Sequence, residues 1–219
     1  MLTGPFRAAS RRLRAIAARF ARARNATSAI EFAAILPLVL VLWGGMAETS
    51  HAIGVWRKMT LLARTVADLT AQGDTVDPMA PATMADILAA STAVLRPLSG
   101  SSAKIVVSSL GVYATNLVNP KVCSSSASSN TTARSTGVAT DLLIPTVFAV
   151  AGDRYLLAEV SMSYAPMIGG SVIKILGWAG GTIPIKASFA WPVRNGTVHN
   201  STSTPASPEV TMPNGAFCS

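Results

Sequence analysis

The sequence predicts an α+β fold in which a long N-terminal helix packs on a small antiparallel sheet. Three features predict it: an apolar run near the N-terminus, a helical pattern that continues from this run, and later segments rich in β-branched residues. The chain has 219 residues, of which half are hydrophobic and 13% are charged. This length leaves room for one globular unit beside the helix.

The positive charge is concentrated at the N-terminus, in a basic leader that we assign to residues 1–26. Residues 1–28 hold seven arginines and no acid, so the other 191 residues, with 11 basic and 10 acidic side chains, carry a net charge of +1. A basic block before an apolar run follows the positive-inside rule for a cytoplasmic leader. Nucleic-acid binding needs positive charge spread over a folded surface, so we expect no nucleic-acid partner.

The next segment, residues 27–48, is predicted to cross a membrane. Sixteen residues from Phe32 to Ala47 carry no charge, a length slightly short of the hydrocarbon core, so we expect Glu31 at the cytoplasmic interface. A cleaved secretory signal is the alternative, because Gly45-Met46-Ala47 resembles a cleavage site and Ser10-Arg11-Arg12 resembles a twin-arginine signal. The distance of that arginine pair from the apolar run favours the anchor.

Residues 49–72 are predicted to continue the same helix as an amphipathic segment. Large apolar residues recur there at steps of three or four: Ile53, Trp56, Met59, Leu62, Val66 and Leu69. No glycine or proline interrupts Val55 to Gln72, and Gly73 is expected to end the helix. The predicted helix therefore runs from Thr27 to Gln72, with Pro37 bending it or absorbed locally.

Residues 73–194 are predicted to form an exported α+β domain, followed by a polar tail at 195–219. Its regular elements are a helix and three strands: Ala82–Leu95, Lys104–Thr115, Arg154–Tyr164 and Ile183–Pro192. Two segments stay open, with Leu142–Val150 as an edge strand or short helix and Ile168–Gly181 as a short helix or hydrophobic loop. The serine-rich and threonine-rich segment Val122–Gly137 is predicted to be a loop.

Two cysteines, Cys123 and Cys218, lie far apart and match no metal-binding spacing. In an exported domain, one disulfide between them would tie the C-terminus to a mid-chain loop. Two unpaired thiols are the alternative.

Nothing in the sequence predicts catalysis. The two histidines are isolated, with His51 just beyond the apolar run and His199 in the polar tail, and no nucleophile, phosphate-loop or metal motif occurs. We therefore expect no enzymatic activity, no cofactor and no metal.

The stretch from Arg24 to Gln72 resembles the TadE-like proteins of the tight-adherence (Tad) pilus system. The resemblance rests on A-T-S-A-I-E-F-A-A-I-L-P-L-V-L after a row of arginines, and on the helical continuation that ends in V-A-D-L-T-A-Q. Similarity to the closing strands of these proteins also lies in Ala158–Pro166 and Ile185–Arg194. The resemblance implies a pilin-like fold, a bacterial inner-membrane anchor with a cytoplasmic N-terminus, and a periplasmic or extracellular C-terminal domain.

The resemblance also implies roles for individual residues. Glu31, with Phe32 and Pro37, matches the assembly motif in which a glutamate lies five residues after a prepilin-peptidase cleavage site. The first residue after that site would be Thr27, and the glycine that usually precedes the cut is replaced by Ala26. Cleavage after Ala26 and a permanently anchored, uncleaved form both remain open.

The expected function is therefore structural: a membrane-anchored minor pilin or pseudopilin of a Tad-type pilus. Its partners would be other pilin-like subunits, the Tad secretion machinery and, if it is processed, the prepilin peptidase. The alternative is a signal-anchored periplasmic binding module unrelated to pili, for which Glu31 would have no special role.

Overall fold

The computed structural model describes residues 26–167, 170, 181–196 and 208–218. The arginines of the leader, His199, about half of the polar tail and nearly all of Ile168–Gly181 lie outside the described residues, so the predictions made for them stay predictions. The chain divides into two compact units, Met1–Ser50 and His51–Ser219, and each is described by itself.

Helix α1 runs from Ala26 to Ala71 and contains Pro37 without interruption. Its end follows from glycine chemistry. Gly73 adopts a positive φ of 70° and donates its N–H to the carbonyl of Thr70 at 3.0 Å. A side chain at position 73 would also collide with the carbonyl of Asn195, so only glycine fits this turn.

The second unit contains a five-stranded antiparallel sheet in the order β3-β2-β1-β4-β5. The strands are β1 Lys104–Tyr113, β2 Asn116–Ala127, β3 Gly137–Val138, β4 Arg154–Tyr164 and β5 Ile183–Pro192. With a long apolar N-terminal helix and this sheet, the α+β fold class is confirmed.

The main core lies on one face of the sheet, which we call the inner face. The inner side chains of β4 that the alternation predicted are buried there: Leu156, Ala158, Val160, Met162 and Tyr164. Helix α1 contributes Val55, Met59, Leu62 and Val66 to the same core. Two residues of the predicted apolar stripe, Ile53 and Trp56, are instead 46% and 52% exposed.

The prediction for Ile53 and Trp56 is wrong because it considers large side chains alone. The buried face of α1 also contains Ala63, Ala67 and Ala71, each fully buried. Small residues let the helix approach the core closely. The buried stripe is therefore rotated away from Ile53 and Trp56.

The described residues cover only part of the opposite, outer face of the sheet. A second cluster buries Leu110, Val112, Val122, Ala139, Tyr155 and Leu157. Phe148 stacks on Tyr155 with ring centroids 4.7 Å apart. Phe148 belongs to a 3₁₀ turn, Thr146–Phe148, so of the two possibilities for this segment the short helix is correct and the edge strand is wrong.

The loop predicted at Val122–Gly137 is also partly wrong, because strand β2 extends through Ala127 and β3 begins at Gly137. Serine has a modest strand preference, which made this segment look irregular. Here its hydroxyls bond across the strands. Ser125 Oγ donates to the carbonyl of Val107 at 3.0 Å and lies 2.9 Å from Ser108 Oγ.

Helix α2 spans Pro81–Thr92 and continues as a 3₁₀ turn through Leu95. The carboxylate of Asp74 holds its start, since Asp74 Oδ2 accepts the N–H of Ala80 at 3.1 Å and Oδ1 accepts the N–H of Thr75 at 2.6 Å. Hydrogen bonds from the side chain of Thr83 and from these two N–H groups hold the pKa of Asp74 below 3.8.

Candidate functional site

The first unit presents an apolar helix with no cover. All side chains from Ser28 to Trp43 are exposed, including Phe32 at 64% and Trp43 at 67%. Within the described residues, one helix is long and apolar enough to cross a membrane, and it is α1. An apolar surface of this length needs lipid or other helices around it.

The residues of the predicted assembly motif lie on this helix. Ala26 and Thr27 form its first turn, followed by Glu31 and Phe32, both exposed, and by Pro37. An ionised carboxylate in the apolar part of a membrane helix costs about 2.5 to 3.5 kcal/mol on translocon scales. Glu31 lies five residues from the start of α1, where it can reach the membrane interface.

The first residue of the second unit, His51, packs against the sheet. Its Nδ1 lies 2.8 Å from the hydroxyl of Tyr164 at the end of β4, and the two ring centroids are 5.6 Å apart. This contact engages one ring nitrogen with a buried tyrosine. The geometry fits a packing role for His51.

The C-terminal strap, residues 208–218, is anchored to the sheet by a disulfide. Cys123 on β2 and Cys218 are joined, with Cα atoms 4.9 Å apart and a sequence separation of 95. Within the strap, Val210 and Met212 are buried in the main core. The N–H of Met212 donates to Ser124 Oγ at 3.0 Å, so the strap is bonded to β2 on both sides of its turn.

A buried ion pair lies beside the disulfide. Arg154 Nε and Glu209 Oε2 are 3.4 Å apart, and the two side chains are 4% and 2% exposed. The other carboxylate oxygen of Glu209 accepts the N–H of Cys218 at 2.8 Å. Sequence reasoning missed this pair, because no local pattern connects a strand residue to one 55 positions later.

Cys123, Cys218 and Glu209 are the one group of three potential metal ligands within the described residues. Both sulfurs are joined in the disulfide, and the carboxylate is already paired with Arg154 and hydrogen bonded to Cys218. The donor set is therefore occupied by structural bonds. It provides no site for a metal while the disulfide is intact.

A partly buried charge cluster lies on the outer face of the sheet. Arg134 binds both carboxylate oxygens of Glu159 and both of Asp141, the latter at 3.1 and 2.8 Å. These hydrogen bonds raise the pKa of Arg134 and lower that of Asp141. The cluster fixes the segment that carries Arg134 against β4.

The architecture defines a class of protein: an α+β unit joined to one exposed apolar helix that can anchor it in a membrane. The family model of TadE-like proteins matches residues 26–68. The predicted resemblance is thereby confirmed over this segment, and the match suggests a component associated with the Tad pilus. Comparison with curated proteins and with solved structures gives no significant match.

Proposed function

We propose that the protein is a structural subunit of a Tad-type pilus, acting as a minor pilin or pseudopilin anchored in the inner membrane. One observation carries the proposal: the segment that matches TadE-like proteins, residues 26–68, contains the exposed apolar helix with Glu31 near its start. The N-terminus would lie in the cytoplasm, and the second unit in the periplasm or outside the cell.

The mechanism in this proposal is association between helices. Exposed apolar side chains on α1 would pack against helices of other pilin-like subunits. These contacts would replace contacts with lipid as the protomer is incorporated. Glu31 would then meet a positive group, and the free N-terminal amine of a processed neighbour is the group the family resemblance implies. Within the described residues no catalytic constellation contradicts a structural role, so we also propose that the protein is not an enzyme.

The proposal is tested by replacing the carboxylate alone. Glu31→Leu should abolish or strongly reduce surface fibres in the native bacterium, while membrane fractionation shows an unchanged amount of anchored protein. Glu48→Leu is the matched control, because it removes the acid at the opposite end of the apolar run, and it should leave fibres intact. Normal fibres with Glu31→Leu would refute the assembly role.

A second measurement separates the processing alternatives. The intact mass of the protein from its native membrane gives its N-terminal residue, which is Thr27 after prepilin-peptidase cleavage, Glu48 after a secretory cut at Ala47, and Met1 or Leu2 without a cut. If the function is that of a signal-anchored binding module, exchanging residues 1–48 for an unrelated anchor should preserve it. A pilus subunit should lose its function in the same exchange.

A further inference from the structure

We propose that the part of the outer sheet face that the described residues leave open binds an acidic, extended segment of a partner protein, which adds as a strand to the edge of β5 opposite β4. The inference rests on the second unit alone and does not depend on the pilus assignment. It concerns a groove of about 340 Å³, which we call the lysine groove.

The groove exists because the described residues cover the outer face at one end only. The second cluster covers the end near Tyr155 and Leu157. Toward the other end, the pairing register places Lys104 on β1, Ser161 on β4 and Lys186 on β5 in one cross-strand row. All three line the groove, together with Thr131 and Arg134 from the segment after β2.

The charges of the groove are unbalanced. Glu159, the groove's acidic residue, is bound by Arg134, which is itself also bound to Asp141. The side-chain ammonium groups of Lys104 and Lys186 have neither an ion pair nor a hydrogen bond among the described residues. Two ammonium groups in one row on the same face of the sheet attract an acidic partner, and they disfavour each other without one.

A peptide strand fits the groove better than a free anion does. β5 is the last strand of the sheet within the described residues, and an edge strand leaves alternate N–H and C=O groups without a ladder partner. A strand added there would place a side chain beside Lys186 at the mouth of the groove. Val106, on the outer face of β1, also lines the groove and can receive an aliphatic neighbour.

The same charges argue against a second copy as the occupant. A lone lysine on an edge strand often serves to prevent edge-to-edge pairing, and pairing two β5 strands would bring two positive grooves together. A partner strand that carries glutamate or aspartate removes this repulsion. The groove thus favours acidic strands as partners and disfavours pairing of β5 with the β5 strand of a second copy.

The test uses the full chain in detergent micelles and two fluorescent hexapeptides. One alternates glutamate with valine, and the other has glutamine in place of each glutamate. We expect the acidic peptide to bind and the glutamine peptide to bind far more weakly, with the difference reduced by added salt. A third peptide, N-methylated on alternate amides, should lose binding if main-chain bonds to β5 are made.

Substitutions locate the site. Lys186→Gln should weaken binding about threefold, as expected for one exposed ion pair, and Lys104→Gln, on β1 two strands further from the added strand, should weaken it less. Arg57→Gln is the matched control, since it removes an exposed positive charge from α1 outside the groove, and it should change binding little.

Three results would overturn the proposal. They are equal binding of the acidic and glutamine peptides, no effect of either lysine substitution, and full binding of the N-methylated peptide. Binding of inorganic phosphate without binding of the acidic peptide would show an anion site and likewise contradict strand addition. Circular dichroism of each variant shows that its fold is retained.

Discussion

At the scale of single residues, the ion pair of Arg154 and Glu209 connects β4 to the C-terminal strap. Both side chains are almost fully buried, so each charge has given up its hydration. Breaking a buried pair is expensive because the remaining charge has no partner. Arg154 recovers part of this cost by donating to the carbonyls of Gly152 and Asp153, both at 3.1 Å.

Glu209→Gln should therefore destabilise the second unit by about 3 to 5 kcal/mol, because it leaves Arg154 buried without a counter-charge while preserving side-chain shape. Urea unfolding of the full chain in micelles, followed by tryptophan fluorescence, measures the change. The control is Asp141→Asn, which removes an exposed carboxylate paired with Arg134 and should cost at most about 1 kcal/mol. Equal losses in both variants would contradict the importance of burial.

At the scale of elements, the Asp74 carboxylate connects the end of α1 to the start of α2. The side chain of Thr83 and the N–H groups of Ala80 and Thr75 bond to the ionised form and lower the pKa of Asp74. A carboxylate with a lowered folded pKa contributes stability above its unfolded pKa, near 4, and this contribution is lost as the pH falls through the folded value.

Asp74→Asn should thus lower the melting temperature at pH 6 to 7, and the gap between variant and wild type should close as the pH falls below about 4. Thermal unfolding followed by circular dichroism between pH 2.5 and 7 measures this gap. Asp86→Asn, which changes an exposed acid within α2, is the comparison and should give a smaller gap. A gap for Asp74→Asn that is constant with pH would contradict the role of its charge.

The elements also show what sequence alone can predict. β4 and β5 have the predicted bounds, Arg154–Tyr164 and Ile183–Pro192, because their alternation matches a sheet with one well-buried face. Helix α1 deviates from its predicted bounds by one residue at each end, and no glycine or proline interrupts Val55 to Gln72 before Gly73 ends it. β2 was partly missed, because its serines are stabilised by hydroxyl contacts to β1 that only the tertiary structure reveals.

At the scale of the whole molecule, a functional site can be predicted from the sequence when its residues are contiguous. A site whose residues come from separate strands cannot. Glu31, Phe32 and Pro37 are contiguous in a motif and could be singled out from the sequence. The lysine groove combines Lys104, Ser161 and Lys186 from three strands. Its net charge depends on which basic side chain forms the ion pair with Glu159. Strand order and register decide both, and neither is encoded in a short pattern.

The disulfide is the longest-range covalent constraint that the structure describes. Replacing both cysteines, as Cys123→Ala with Cys218→Ala, should destabilise the second unit by up to about 4 to 5 kcal/mol, because the closed loop restricts the unfolded chain. Urea midpoints with and without reductant measure the effect. The wild type should shift to the variant's midpoint on reduction, while the variant should not respond. An unchanged wild-type midpoint after full reduction would contradict the prediction.

The position of this bond also has a consequence for timing during synthesis. Cys218 follows Cys123 by 95 residues, so β1 to β5 are all made before the second thiol exists. During that interval Cys123 is an unpaired thiol on a strand whose neighbours are assembling, and it is open to mixed disulfides with other chains or with an oxidoreductase. Closure of the strap is thus among the last events in the maturation of the protein, and the pool of newly made chains is where faulty cross-links would arise.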